Sequence, residues 1–398
     1  MVVAGAGPVG VVTALAAAGR GFGVTLVEAS ARVEDAPRAA TFHPSTLEML
    51  AGLGIMDDFL AVGLVARYFE FWDKPSRTRI ARMDHDLLRD ETPFPFVVQT
   101  EQHKLVRIGL ERLARCPDVD LRLGWAVTDV AQDADGVTVT IRGDDGEDTV
   151  RGDWLVGSDG GRSAVRKALG VDFEGYTWPE RFVVLTTPRD VEADLGCCLR
   201  NYFADPDEWV NLFKVAGDDL TGRWRVVFPT RPDESDDEAV SDASSQARLR
   251  RVLPVDEPVE LVHRNIYRVH QRVAAQFRVG RVFLAGDAAH VNNPIGGLGL
   301  NCGVHDAVEL VDTLAVAGSR ADDEHMLDRY ERRRRALNIE FVQQQTVDNK
   351  RRLEEKDPAK RRARLDELAA ISDDDERQRA FLRRTSLLDS VRRSRAIA

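Results

Sequence analysis

Met1-Val2-Val3-Ala4-Gly5-Ala6-Gly7-Pro8-Val9-Gly10 opens the chain, and its reading decides the fold. Met1–Ala4 reads as the end of a buried strand. The spacing Gly5-x-Gly7-x-x-Gly10 follows, then an Ala-rich helix to about Ala18 and a second apolar strand at Val24–Glu28. Strand, turn, helix and strand in this order make a βαβ unit. The first strand is short, so a few further native residues are expected upstream of Met1.

Each glycine has a separate task in such a turn. The first permits the tight bend, the second lets a pyrophosphate approach the backbone, and the third lets helix and strand pack closely. The helix N-terminus offers unpaired N–H groups and a partial positive charge. Glu28 ends the second strand, where a carboxylate accepts hydrogen bonds from ribose hydroxyls. Gly5, Gly7, Pro8, Val9, Gly10, Glu28 and Ala29 are therefore candidate contacts for an adenosine diphosphate. The turn does not choose between NAD and FAD, and a tight turn in another α/β protein is the competing reading.

The opening stretch is apolar enough to resemble a signal peptide. It lacks a basic region in front, however, and its glycines interrupt the run. No other stretch is long and apolar enough to span a bilayer. A net charge of −11 over 398 residues disfavours binding to nucleic acid or an anionic membrane. Cys116, Cys197, Cys198 and Cys302 provide neither a disulfide framework nor paired metal-ligand spacing. The expectation is a cytoplasmic enzyme with reduced thiols and no metal.

Two further segments narrow the nucleotide. In Leu155-Val156-Gly157-Ser158-Asp159-Gly160-Gly161-Arg162-Ser163-Ala164-Val165-Arg166, a buried strand runs into Asp-Gly and then a helix. In Val282-Phe283-Leu284-Ala285-Gly286-Asp287-Ala288-Ala289-His290, an acid follows a strand and can accept hydrogen bonds from a polyol chain. Pro294-Ile295-Gly296-Gly297-Leu298-Gly299-Leu300-Asn301 then opens another helix. Its N–H groups suit negative charge on a reduced flavin ring.

With these three motifs in this order, the sequence resembles the class A flavoprotein aromatic hydroxylases, the para-hydroxybenzoate hydroxylase family. The resemblance covers roughly residues 1–320. It implies non-covalent FAD, with Glu28 on the adenosine ribose, Asp287 on the ribityl chain and Asp159 near the pyrophosphate. Arg38 matches a family arginine that touches flavin or nicotinamide cofactor, and Gln99 a family glutamine on the FAD. Pro294, Gly297, Leu298, Gly299, Leu300 and Asn301 would flank the isoalloxazine. A surface ion pair for Arg38 and a helix cap for Gln99 are the competing readings. Asn293 stands where the family often has a second proline.

The resemblance also implies an activity. NAD(P)H would reduce the FAD as a transient co-substrate, and molecular oxygen would form a flavin C4a-hydroperoxide that hydroxylates a small phenolic or heteroaromatic substrate. No second GxGxxG is present, as suits a family without a separate nicotinamide domain. The alternatives are a flavin epoxidase or polyketide-tailoring oxygenase, and a non-catalytic carrier on the same fold. The Trp-x-Trp-x-Ile signature of flavin halogenases is absent.

The expected fold class is α/β: a Rossmann-like FAD-binding domain with an inserted, mainly β-sheet substrate domain and a helical C-terminal region. The FAD-binding domain is discontinuous over 1–70, 96–175 and 270–327. The substrate domain takes 71–95 and 176–269, and the helical region 328–398. One strand is expected at Thr149–Val156, and Ser372 is expected as an N-cap. Arg332-Arg333-Arg334-Arg335 and Lys350-Arg351-Arg352 read as solvated helix faces. Leu365, Leu368 and Ile371 would pack on the body or on the second copy of a homodimer. The substrate-activating base is unassigned. Pro294, Tyr202 and Tyr267 are candidates for the pocket edge, and His290 is expected to support its turn.

Overall fold

The computed structural model describes residues 1–35, 38–317 and 324–398. Strand Val2–Ala4 lies inside a six-stranded sheet, paired in parallel with Val24–Glu28 on one side and Leu155–Gly157 on the other. Val119–Leu123 extends the first side, and Val282–Leu284 with Arg278–Val279 the second. Val2–Ala4, Leu155–Gly157 and Val282–Leu284 are buried at every residue. A parallel sheet covered on both faces demands such unbroken apolar runs. The chain departs to one side of the first strand and returns on the other. The crevice beyond Ala4 and Gly157 is therefore a topological switch point, where α/β sheets place their ligands.

The expected strand Thr149–Val156 is two strands. Gly146–Gly152 closes an antiparallel sheet with Val137–Gly143 and Ala126–Gln132, whereas Leu155–Gly157 enters the parallel sheet. The chain changes sheets at Trp154, whose buried indole packs edge-on against Phe283 at 5.9 Å. Anchoring that ring breaks the run.

An eight-stranded sheet combines Tyr68–Asp73 and Thr78–Asp84 with Phe173–Thr187, Arg200–Ala204, Val210–Val215, Arg223–Pro229, His263–Ala274 and the short His290–Val291. Its strands alternate by period two. Val183, Leu185, Val226 and Phe228 face a cluster with Ala239 and Leu249 of the helices Asp236–Val240 and Asp242–Arg250. Phe182, Val184 and Val227 face the other way, toward Leu353 and Leu365 of the C-terminal region. Each such fully buried side chain contributes about 1.5–3 kcal/mol relative to exposure.

The C-terminal region is helical: Glu324–Leu337, a wider π-turn at Asn338–Gln343, Gln344–Glu354, Pro358–Ser372, Asp375–Thr385 and Leu388–Arg395. Leu365, Leu368 and Ile371 pack on the body, against the eight-stranded sheet. Pro358 sits in a first helical turn, capped by Asp357. Ser372 is no N-cap. It ends a helix, and its hydroxyl bonds the backbone of Arg82 on the edge strand, while Asp374 caps the next helix.

Two charge runs are less solvated than their composition suggests. Lys350 is buried between Glu180 and Glu354. Arg334 is 2% exposed, and its Nε donates to Asp306 Oδ1 at 2.7 Å. Asp306 Oδ2 accepts from Gly286 N at 3.0 Å and pairs with His290 Nε2 at 2.6 Å. One buried carboxylate thus pins the third motif to the helix Leu298–Ala317 and to the C-terminal helices. Burial alone would raise the Asp306 pKa, but His290 and Arg334 outweigh it and hold the group ionised. Asp306→Ala leaves buried cations without their anion and should destabilise the fold by about 3–5 kcal/mol. Urea unfolding of the two proteins measures this, and a loss under about 1 kcal/mol would make the carboxylate dispensable.

Candidate active site

The three motifs meet at the switch point. Gly5 adopts φ +96°, and a Cβ there would lie 2.6 Å from Ser158 O and 2.8 Å from Asp159 Cα. A Cβ on Gly10 would lie 1.8 Å from Gly5 O. Only glycine permits both approaches. Gly7, by contrast, faces open space, as a phosphate-contacting position requires. The Ser158 hydroxyl donates to Ala4 O at 2.8 Å, and Gly286 lies against Val9.

Glu28 is oriented by its own loop. Ala6 N donates to Oε2 at 2.7 Å and Ser30 N to Oε1 at 2.8 Å. A carboxylate has about four acceptor sites, so lone pairs remain for hydroxyls. Ala29 beside it is exposed.

Asp159 has a structural task. It accepts from Ser163 Oγ at 2.5 Å and from Ala164 N and Val165 N, capping the short helix after it. Arg166 donates to Ala288 O at 2.8 Å and Gly161 O at 2.7 Å, joining the second motif to the third.

Asp287 is the exposed residue of its turn. It still lies low among protein atoms. That desolvation raises its carboxyl pKa, and His290 and Arg38 pull it back. Arg38 itself forms an exposed pair with Glu34 at 3.0 Å, while its carbonyl accepts from the buried Arg225. Gln99 is no helix cap. It is fully buried, its Oε1 accepts from Thr41 Oγ1 at 2.7 Å, and its Nε2 has no partner.

Asn301 is saturated by protein: its Oδ1 accepts from His43 N, and its Nδ2 donates to Thr41 O and Gly297 O. It holds the loop Pro294–Gly297 against Thr41–His43. The helix that follows begins at Leu298, so Leu298, Gly299 and Leu300 stand in its first turn, whose N–H groups have no partner within the helix.

Beside that loop lies a partly enclosed cavity. Gly296 and Leu298 line one part of it, and the rings of Phe69, Phe71, Tyr202 and Phe381 another. Gln345 and Asn349, just past the π-turn, line a third, with Leu353. Of the three pocket-edge candidates, Tyr202 alone lines this cavity. Tyr267 packs on Phe182, 5.9 Å between ring centroids, and Pro294 is exposed.

Sequence reasoning missed Arg200 and His85, which also line the cavity. The signal was period two: Arg200 and Tyr202 share one face of the strand Arg200–Ala204, and Arg200 Nη2 donates to the Tyr202 hydroxyl at 3.0 Å. Burial and then Arg200 lower the pKa of His85 to about 3 and that of His43 well below 6.5. The bond of His85 Nδ1 to Arg67 O leaves Nε2 as an acceptor, and that of His43 Nε2 to Gly296 O leaves its Nδ1 as one. His290, Cys302 and Asp306 bring ligand-type atoms within 4.8 Å of one another, but the Arg334 guanidinium already supplies the cation there.

The sequence model of the family described as FAD binding domain matches residues 1–345. The chain belongs to this FAD-binding family. Para-nitrophenol 4-monooxygenase of Pseudomonas sp. (strain WBC-3) is 35% identical over 368 residues, 91% of this chain and 89% of that protein. The 6-hydroxy-3-succinoylpyridine 3-monooxygenase of Pseudomonas putida (strain DSM 28022 / S16) is 35% identical over 385 residues, 96% of each. The crystal structure of p-nitrophenol 4-monooxygenase from Pseudomonas putida DLL-E4 superposes with a TM-score of 0.89 at 34% identity, covering 96% of this chain and 95% of that one. The protein is a flavin-dependent aromatic monooxygenase with FAD as its cofactor. Among the described residues, no helix is long and apolar enough to cross a membrane.

The residues present fit the cofactor. The open Gly7, the exposed Asp287 and the unpartnered Nε2 of Gln99 offer what a dinucleotide needs. Acid should weaken the fold. His85 and His305 have folded pKa values of about 3 against 6.5, so their contribution is full above pH 6.5 and lost as pH falls toward 3. For His290 burial lowers the pKa, but Cys302 and Asp306 hold it up to about 10, so its contribution is lost as pH rises through 10. Urea midpoints measured against pH should peak between these limits. A midpoint that climbs steadily into acid would contradict neutral histidines.

Proposed function

We propose that the protein hydroxylates a small aromatic compound bearing a phenolic or heteroaromatic hydroxyl, with NAD(P)H and molecular oxygen as co-substrates. The observation that carries this reading is the aromatic-lined cavity bounded by the loop Gly296–Leu298. Relatives named for 4-nitrophenol and a hydroxypyridine, aligned over nearly the whole chain, support the same substrate class.

FAD, when bound, would supply the redox chemistry that links NAD(P)H and molecular oxygen to hydroxylation of the ring. The chain supplies the rest. Glu28, the Gly5–Gly10 turn and Asp287 would hold the extended nucleotide, and the unpartnered Gln99 Nε2 would be free to donate to it. Arg38 is within electrostatic reach of Asp287, which supports its role as the arginine that touches flavin or the nicotinamide cofactor. Phe69, Phe71, Phe381 and Leu353 exclude water from the ring being oxidised, which limits wasteful release of peroxide. The parts themselves divide as a nucleotide-binding body, a substrate-binding sheet and a helical cover.

Purified protein should be yellow, and 4-nitrophenol or a hydroxypyridine should accelerate NAD(P)H oxidation. The product mass should reflect the incoming oxygen atom. A yellow protein whose NAD(P)H oxidation no phenol or hydroxypyridine stimulates would overturn the proposal. Gly10→Val should lose bound FAD altogether, because its side chain would occupy the position of Gly5 O. Flavin absorbance per protein measures it, and wild-type loading in the variant would contradict the packing argument.

A further inference from the structure

Arg200 is 4% exposed, and no carboxylate of the described residues lies within ion-pair distance of it. Its Nη2 is used by the Tyr202 hydroxyl, while its buried Nη1 has no partner at all. Its guanidinium stands 5.1 Å from the centroid of Phe69 and 6.0 Å from that of Tyr202. Ring faces offset only part of the cost of a dehydrated cation. Among the described residues the cavity is lined by no acid: its remaining polar groups are His43, His85, Tyr202, Thr385 and the neutral amides of Gln345 and Asn349.

We infer that Arg200 is the specificity-determining residue of the cavity, and that it takes the substrate as a monoanion by pairing its free Nη1 with an ionised ring oxygen. This rests on the proposed function, and it names the charge state that the site selects. One buried cation provides for one negative group, and the apolar remainder of the wall discriminates against a second. The hydroxyl proton is lost to solvent before binding, so no base in the cavity is required. The charged and titratable groups around Arg200 do not offset it. His43 and His85 stay neutral, the half-buried Cys198 has its thiol pKa raised to about 12 by desolvation, and Arg352 stands behind the Phe71 and Phe381 rings, each 5.9 Å away.

The test is equilibrium binding of 4-nitrophenol to the FAD-loaded enzyme without NAD(P)H, followed by the ligand's own phenolate absorbance. Bound 4-nitrophenol should remain ionised at pH values where the free compound is protonated. Its affinity should rise with pH through the ionisation of the free phenol and then level off. Arg200→Met should bind it about 30-fold more weakly or worse, the effect of deleting one side of a buried charge pair. The neutral ether 4-nitroanisole should bind that variant at least as well as wild type. Arg200→Lys, which keeps the charge but loses the planar fork, should fall between.

Unchanged affinity and unchanged ionisation of 4-nitrophenol in Arg200→Met would overturn the inference. Should that variant fail to hold FAD, the wild-type titration alone decides: affinity that is flat or falls with pH overturns it. If no phenol binds but benzoate does, and Arg200→Met abolishes it, selection of an anion stands and the phenol reading falls. Without ligand, Arg200→Met should unfold at or above the wild-type temperature, since it removes an unpaired buried charge. Marked thermal destabilisation would instead assign Arg200 to the fold.

Discussion

Backbone can approach backbone only where no side chain intervenes, and the molecule is organised around such approaches. Gly5 lies against Ser158 and Asp159, Gly10 against Gly5, and Gly303 within van der Waals distance of Gly286 and Val9. Strands far apart in sequence thereby end at one crevice. A methyl at any of these positions would push apart the turns that cradle the cofactor. Everything beyond them, including the aromatic cavity, takes its place from that convergence.

A second constraint is electrostatic. Asp306 is buried with His290 and Arg334, a costly arrangement offset by the hydrogen bonds that both cations make to its carboxylate. It couples the turn carrying Asp287 to the C-terminal helices. Those helices in turn supply Gln345, Asn349, Leu353, Phe381 and Thr385 to the cavity wall. Cofactor turn and substrate cover therefore share one ion cluster.

The contrast between Asp159 and Asp287 shows how motif residues divide their work. Both follow a strand of the same sheet and precede a helix. Asp159 spends its oxygens on its own helix N-terminus, whereas Asp287 is open to the crevice. Asn301 likewise serves the loop, its side-chain amide spent on His43, Thr41 and Gly297. A match to a motif names the neighbourhood of a ligand, and hydrogen-bond accounting shows which atoms remain for it.

The α/β class and the nucleotide turn were legible in the chain alone, because they depend on local spacing: glycines at a strand end, an acid after the next strand, an apolar run of fixed length; the flavin came from the family that the three motifs in this order resemble. Such features need only a few neighbouring residues. The break at Trp154, the cap at Asp374 in place of Ser372, and the burial of Arg334 and Lys350 were not legible, since each is settled by a partner from a distant segment. The cavity belongs to this second kind. Arg200, His85, Phe69 and Phe381 come from separate stretches, and only packing the helical cover onto the eight-stranded sheet brings them together. The order of the three motifs, through the family they resemble, pointed to the cofactor; tertiary packing decided which charge lines the cavity, because burial and the absence of a counter-ion among the described residues are properties of the folded surroundings and not of the residue.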